Sequence, residues 1–131
     1  MTKEEIHNIL FKLGIKKYSI RTDNMVNVYQ DVVLINIDKI PVNFNYVGGN
    51  FYCSDNNQLT SLDGAPNNVG GDFYCYDNPN LPYSELFKIV DNVKCNIYYS
   101  SFNTLEDKDK IRRDRDVKAT LKDDELGSLD V

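Results

Sequence analysis

The chain carries one histidine, His7, three cysteines, Cys53, Cys75 and Cys95, and 20 Asp or Glu side chains. These are the types that acid–base, nucleophilic or metal chemistry would recruit, but their spacing assembles no site. No C-x-x-C occurs and His7 lies far from every cysteine, so zinc ligation has no signature. Asp55, Asp63, Asp72 and Asp77 could in principle line a calcium-binding stack, yet the glycine–aspartate nonapeptide of such stacks is absent. They read as turn and surface residues. The glycine pairs at 48–49 and 70–71 lack the form of a phosphate-binding loop and are explained by packing at strand starts. No nucleophile elbow is present either. The expectation is a protein without catalysis, metal or cofactor.

Binding chemistry is better represented. Residues 47–53 read VGGNFYC and residues 69–75 read VGGDFYC, an internal repeat offset by 22 positions. A period of that length predicts a solenoid, in which no unit buries its apolar face without its neighbours. Weaker copies start at Val28 and Val93, so rungs begin near 28, 47, 69 and 93. Alternate strand residues point to opposite faces. One inward column is therefore Val32, Phe51, Phe73 and Ile97, and a second is Leu34, Cys53, Cys75 and Tyr99. The outward column is Val33, Tyr52, Tyr74 and Tyr98, flanked by Asp31, Asn50, Asp72 and Asn96 on one side and by Ile35, Ser54, Tyr76 and Ser100 on the other. Asn56 is expected to cap the turn leaving its strand. Four rungs at the usual strand spacing make a sheet about 15 Å wide.

Phe51, Cys53, Asn56, Leu59 and Leu62 follow the spacing L-x-L-x-x-N-x-x-L-x-x-L, with Gly64 and Pro66 behind them. This resembles the leucine-rich repeat from its fourth position onward. It departs in having Phe and Cys where Leu is usual and Gly48 or Gly70 at the first Leu position. It also looks like a short, Asn- and Tyr-rich variety of the repeat found in bacteriophages and bacteria. That resemblance implies an α/β fold: a short solenoid with a small parallel sheet. It further implies a phage accessory protein that binds and inhibits a host defence or nucleic-acid-handling protein, working in the host cytoplasm.

The elements that must hold this face lie at the two ends. Thr2 and Glu5 form a capping box, and Ile6, Ile9, Leu10 and Leu13 fall on one helical face that Gly14 ends, predicting a cap over residues 2–13. His7 is expected at the solvated side. Leu86, Ile89 and Val90 predict a short helix after Pro82. The solenoid is assigned to residues 1–105 and a charged helix or tail to residues 106–131, which hold nine acidic and seven basic side chains. Low apolar content favours a solvated tail there, with a helical cap or a docking segment anchored by Leu126 and Leu129 as the alternatives.

The net charge is −5 at 131 residues. Without a basic stripe the chain is not expected to bind nucleic-acid phosphates directly. Residues 1–12 lack a secretory signal and no apolar run suits a membrane span, so a cytoplasmic protein with reduced, structural cysteines is expected. Tyr side chains favour interfaces. The expected binding residues are Tyr52, Tyr74, Tyr98 and Tyr76 with Asp31, Asn50, Asp72 and Asn96, and the expected partner is a host or phage protein with a basic surface, bound by a monomer or homodimer. The alternative is a self-associating structural or virion-associated subunit.

Overall fold

A computed structural model describes the backbone of residues 1–129 and side chains through residue 121. The fold is α/β, with a helix near each end and two mixed sheets between them. Helix α1 (Lys3–Lys12) begins at Thr2, whose side chain accepts from the Glu5 N–H while the Glu5 carboxylate receives the Thr2 N–H. It buries Ile6 and Leu10. Gly14, at φ +73°, ends it in the left-handed conformation that suits glycine. His7 is exposed, and its Nδ1 lies 2.6 Å from the Tyr18 hydroxyl.

The strands are β1 (Tyr18–Ile20), β2 (Val26–Val28), β3 (Val32–Val33), β4 (Phe44–Val47), β5 (Phe51–Tyr52), β6 (Asn68–Val69), β7 (Phe73–Tyr74), β8 (Ile97–Ser101) and β9 (Thr104–Leu105). One sheet has the order β1-β2-β4-β6 and the other β3-β5-β7-β8-β9. A single parallel sheet was expected. Instead each of the first three repeats gives one strand to each sheet, and antiparallel β1 and β9 are added at opposite ends. Within the repeats all pairing is parallel, and residues 22 apart lie side by side, Phe51 beside Phe73 and Tyr52 beside Tyr74. The outer copies share this register: Val28 partners Val47, Val69 bridges to Val93, and Tyr74 partners Tyr98.

One core fills the space between the sheets. Val32, Phe51, Phe73 and Ile97 form its first column, with the Phe51 and Phe73 rings stacked at 5.0 Å. Leu34, Cys53 and Cys75 are buried in the second column, and the half-buried Tyr99 closes it by donating its hydroxyl to the Leu81 carbonyl at 2.6 Å. Burial pushes the Cys53 and Cys75 thiols up, so they pack as neutral apolar groups. Cys95, grouped with them from the sequence, is exposed.

Strands two residues long make few sheet bonds, and side chains supply the rest. Asn56 is buried. Its Nδ2 lies within hydrogen-bond reach of the Leu34, Cys53 and Ser54 carbonyls, and its Oδ1 accepts from the Ile37 N–H at 3.0 Å. Asn78 repeats the arrangement one copy later: its Oδ1 accepts from the Asn56 N–H at 2.6 Å and its Nδ2 donates to the Cys53 and Cys75 carbonyls. A second ladder runs along the other end of the strands. Asp31 Oδ1 accepts from the Asn50 N–H at 2.7 Å, Asn50 Oδ1 from the Asp72 N–H at 2.8 Å, and Asp72 Oδ1 from the Asn96 N–H at 2.8 Å. The glycines of the repeat make room for it. A Cβ on Gly49 would lie 2.1 Å from Asp31 Oδ1, and one on Gly71 would lie 2.1 Å from Asn50 Oδ1.

The second end departs furthest from expectation. A 3-10 helix, Tyr83–Lys88, follows Pro82, and helix α2 (Lys108–Leu129) packs against it where a solvated tail was favoured. Ile111 is buried, and Asp114 accepts the Tyr83 hydroxyl at 2.7 Å. Lys110 and Lys118 lie over the Tyr83 and Phe87 rings. Asp91 receives Arg112 and Arg115 at 2.7 and 2.8 Å, and Lys108 donates to the Val93 carbonyl. Among the described residues, the apolar anchor Ile111, lysine ammonium groups over aromatic rings and a shared carboxylate together dock a helix too polar to read as packed. The Leu126 and Leu129 side chains lie outside the described residues. Among the described residues no helix is long and apolar enough to cross a membrane.

Replacing Asn56 with Ala strands several buried backbone groups, each costing about 1–3 kcal/mol. Urea titration is expected to show a loss of about 2 kcal/mol or more, with the m-value kept. Gly71→Ala forces its Cβ onto the Asn50 side chain and is expected to cost about 1–3 kcal/mol in the same titration. An unchanged midpoint for both variants contradicts the ladder as the source of register.

Candidate functional site: the tyrosine face

In-register pairing places Val33, Tyr52, Tyr74 and Tyr98 in one column on the outer face of the five-stranded sheet. The Tyr52 and Tyr74 rings stack at 4.5 Å and 7°, and the Tyr74 and Tyr98 rings at 4.7 Å and 3°. These separations match the strand spacing, so the ladder imposes the stacking. Each tyrosine is half-buried by its neighbours and still reaches solvent. Helix α2 packs against the Tyr83–Lys88 helix, and among the described residues the column stays partly open.

The flanking residues divide into two kinds. Tyr76 sets its ring edge-on to Tyr74 at 6.4 Å and lies 6.2 Å from Phe102. The apolar surface widens through Val33 (52% exposed), Ile35 (69%), Phe102 (62%) and Leu105 (56%). Phe102 and Leu105 were not foreseen as part of this face, because the β8–β9 hairpin that brings them there carries only a short Ser-Phe-Asn-Thr turn as its signal. On the other flank, Asp31, Asn50 and Asp72 were expected to meet a partner, yet each spends a side-chain oxygen on the next repeat's backbone. Asn50 also donates to the Tyr52 hydroxyl at 3.1 Å, and Tyr74 donates to Asp72 Oδ2 at 3.1 Å. Asn96 enters that ladder through its backbone N–H. These four build the face before they could serve as contacts on it.

The strand segments of this face carry charge of one sign, and Lys108 lies near enough to Asp72 to interact with it. Residues 31–35, 50–54, 72–76 and 96–100 contain Asp31 and Asp72 and no Lys or Arg. At the hairpin, Glu106 accepts from the Ser100 N–H and hydroxyl at 3.0 and 2.8 Å, adding a third carboxylate. Among the described residues none of these three carboxylates has a salt-bridge partner. The Tyr74 phenol is pushed up to about 12, first by burial among its neighbours and then by the Asp72 carboxylate that its hydroxyl bonds.

The groups weighed for chemistry take other places. Asp55 and Asp77 occupy left-handed turn positions at φ +61° and +55°, and Asp63 pairs with Lys88 at 2.9 Å. The depression beside this turn row, lined by Ile37 and the polar Asn36, Asp55, Asn56, Asn57 and Gln58, has a volume of about 250 Å³. Among the described residues no three His, Cys, Asp or Glu side chains converge as a metal site would need. No family model matches the sequence, and no curated protein or solved structure matches it either.

Alkaline titration reads the column directly. Tyr74 has a folded pKa raised from 10 to about 12. Its contribution to stability is therefore complete below pH 10 and is lost as the pH rises toward 12. Absorbance of the phenolate is expected to show a late-titrating step that Tyr74→Phe removes and Asp72→Asn moves to lower pH. A Tyr74→Phe curve that keeps the same late step contradicts the assignment.

Proposed function

We propose that the chain is a short leucine-rich-repeat-like solenoid that acts as a non-catalytic protein-binding module through its tyrosine face. The observation that carries this reading is the stacked Tyr52–Tyr74–Tyr98 column, left partly open on a sheet face and bordered by exposed Val33, Ile35, Phe102 and Leu105. A contiguous exposed apolar patch on a small protein marks an interaction site more often than chance exposure. Tyrosines already locked in place by stacking lose little further freedom when a partner covers them. Asp31, Asp72 and Glu106 at the rim, none of them in a salt bridge among the described residues, suit a partner surface bearing Lys or Arg.

The resemblance to short repeat proteins of bacteriophages supplies the biological part of the proposal. The chain is a phage accessory protein in the host cytoplasm, and its partner is a host defence or nucleic-acid-handling protein that it inhibits. An acidic, tyrosine-lined face would occupy a basic groove where nucleic acid otherwise sits. The second reading, a self-associating structural subunit, draws on the same exposed face.

Affinity capture from a lysate of the bacterial host, with wild type and a Phe102→Lys/Leu105→Lys variant side by side, tests the binding module. Both positions are more than half exposed, so the variant is expected to fold. The expected result is one host protein held by wild type, weakened by added salt and reduced at least about tenfold by the variant, the scale of a lost 1.4 kcal/mol. Equal capture by both chains removes the face from the site. Recovery of the chain alone favours self-association.

A further inference from the structure

We infer that the free edge of β3 is a self-pairing site, through which two copies join antiparallel into one ten-stranded sheet. This holds whether or not the tyrosine face takes a second kind of protein. Its test uses none.

Three of the four ends of the parallel pairing carry a further strand or bridge. Antiparallel β1 closes the first end of the four-stranded sheet, and antiparallel β9 closes the last end of the five-stranded one. At the remaining end of the four-stranded sheet, Val69 bridges to Val93 and accepts the Lys94 N–H at 2.9 Å. Among the described residues the β3 end of the parallel pairing is the one that no further strand extends, with β5 on one side and none on the other, while β1 and β9 are themselves the outer strands elsewhere. Natural edges are blunted by brevity, charge, proline or a bulge; this one is short and follows Asp31, but its outward residues Val33 and Ile35 are apolar and 52% and 69% exposed.

Its backbone is set for pairing. The Val32 and Leu34 N–H groups donate to the Asn50 and Tyr52 carbonyls of β5. Alternation along a strand then turns the Val33 N–H and C=O toward the open side. The ladder also begins here. The backbone N–H groups of Asn50, Asp72 and Asn96 are each received by the preceding repeat's side chain, but Asp31 heads the series with no repeat before it.

A second copy fits this edge better than another strand would. A closed two-fold assembly needs a surface that complements itself, and antiparallel pairing of β3 with its own copy does so about Val33. Val33 then exchanges both backbone bonds with Val33 of the second copy, and Asp31 lies opposite Ile35, so no like charges face each other. The two-fold axis runs perpendicular to the sheet, so both tyrosine columns lie on the same side. They become one stripe through the paired Val33 side chains. The dimer presents its binding face twice.

Sedimentation equilibrium over about 1–100 µM, the range of a moderate interface, tests the inference. The expected species is twice the 15.1 kDa chain mass. Val33→Pro removes an N–H that β5 does not use, a position where edge strands tolerate proline, and is expected to give a monomer with unchanged near-ultraviolet circular dichroism. Val33→Lys, which sets two lysines opposite each other, is expected to do the same and decides the matter if the proline variant fails to fold. Leu105→Lys, at the far edge, is expected to remain a dimer. A wild type monomeric throughout the range overturns the inference, as does a folded Val33 variant that still dimerises.

Discussion

The interaction on which the rest of this structure depends is a side-chain oxygen receiving the backbone N–H of a neighbouring repeat. The strands at the repeats' core are two residues long, too short for sheet bonding alone to fix which residue lies beside which. Asp31, Asn50 and Asp72 reach forward to the following repeat, while Asn56 and Asn78 reach back to the preceding one. Each strand is thus pinned at both ends. Buried backbone groups that would otherwise be stranded are satisfied by the same bonds, so register and polar satisfaction are enforced together.

From that constraint the two faces follow. Inward, the register puts Phe on Phe and Cys on Cys at the centre of the two buried columns. Outward, it puts Tyr on Tyr at the strand spacing. The ladder reaches the face directly as well, since Asn50 and Asp72 each bond a tyrosine hydroxyl with the part of the side chain not committed to the backbone. The face is accordingly rigid by construction. Any partner meeting it would find side chains already ordered, which would lower the entropy cost of binding on this side.

The repeat made much of this legible. Exact recurrence of VGG-(N/D)-FYC fixed the offset, and the offset with strand alternation fixed the inward and outward columns in advance. The second sheet was hidden because its members, Val26–Val28, Phe44–Val47 and Asn68–Val69, differ in length and β4 takes in the extra residue Asn45 against β2. Irregular spacing of this kind erases the periodicity that sequence reading relies on. The docking of α2 was hidden for another reason. It depends on Asp91 meeting arginines 21 and 24 residues later, a long-range pairing that no local pattern announces. The flanking Asp and Asn residues were legible as a row, but their bonds to the next repeat's backbone were not, because a polar side chain at a strand end looks the same whether it faces solvent or the next backbone.

Amide hydrogen exchange by NMR tests the central claim most directly. Ile37, Asn50, Asn56, Asp72 and Asn96 lie outside every strand, and in each the N–H is received by a ladder side chain. Their amide protons are predicted to exchange as slowly as those of Phe51 and Phe73 in the central strands, because opening any of them means separating repeats. Exchange of these five at the rate of open turns, with Phe51 and Phe73 still protected, would show that the repeats keep their register without the ladder.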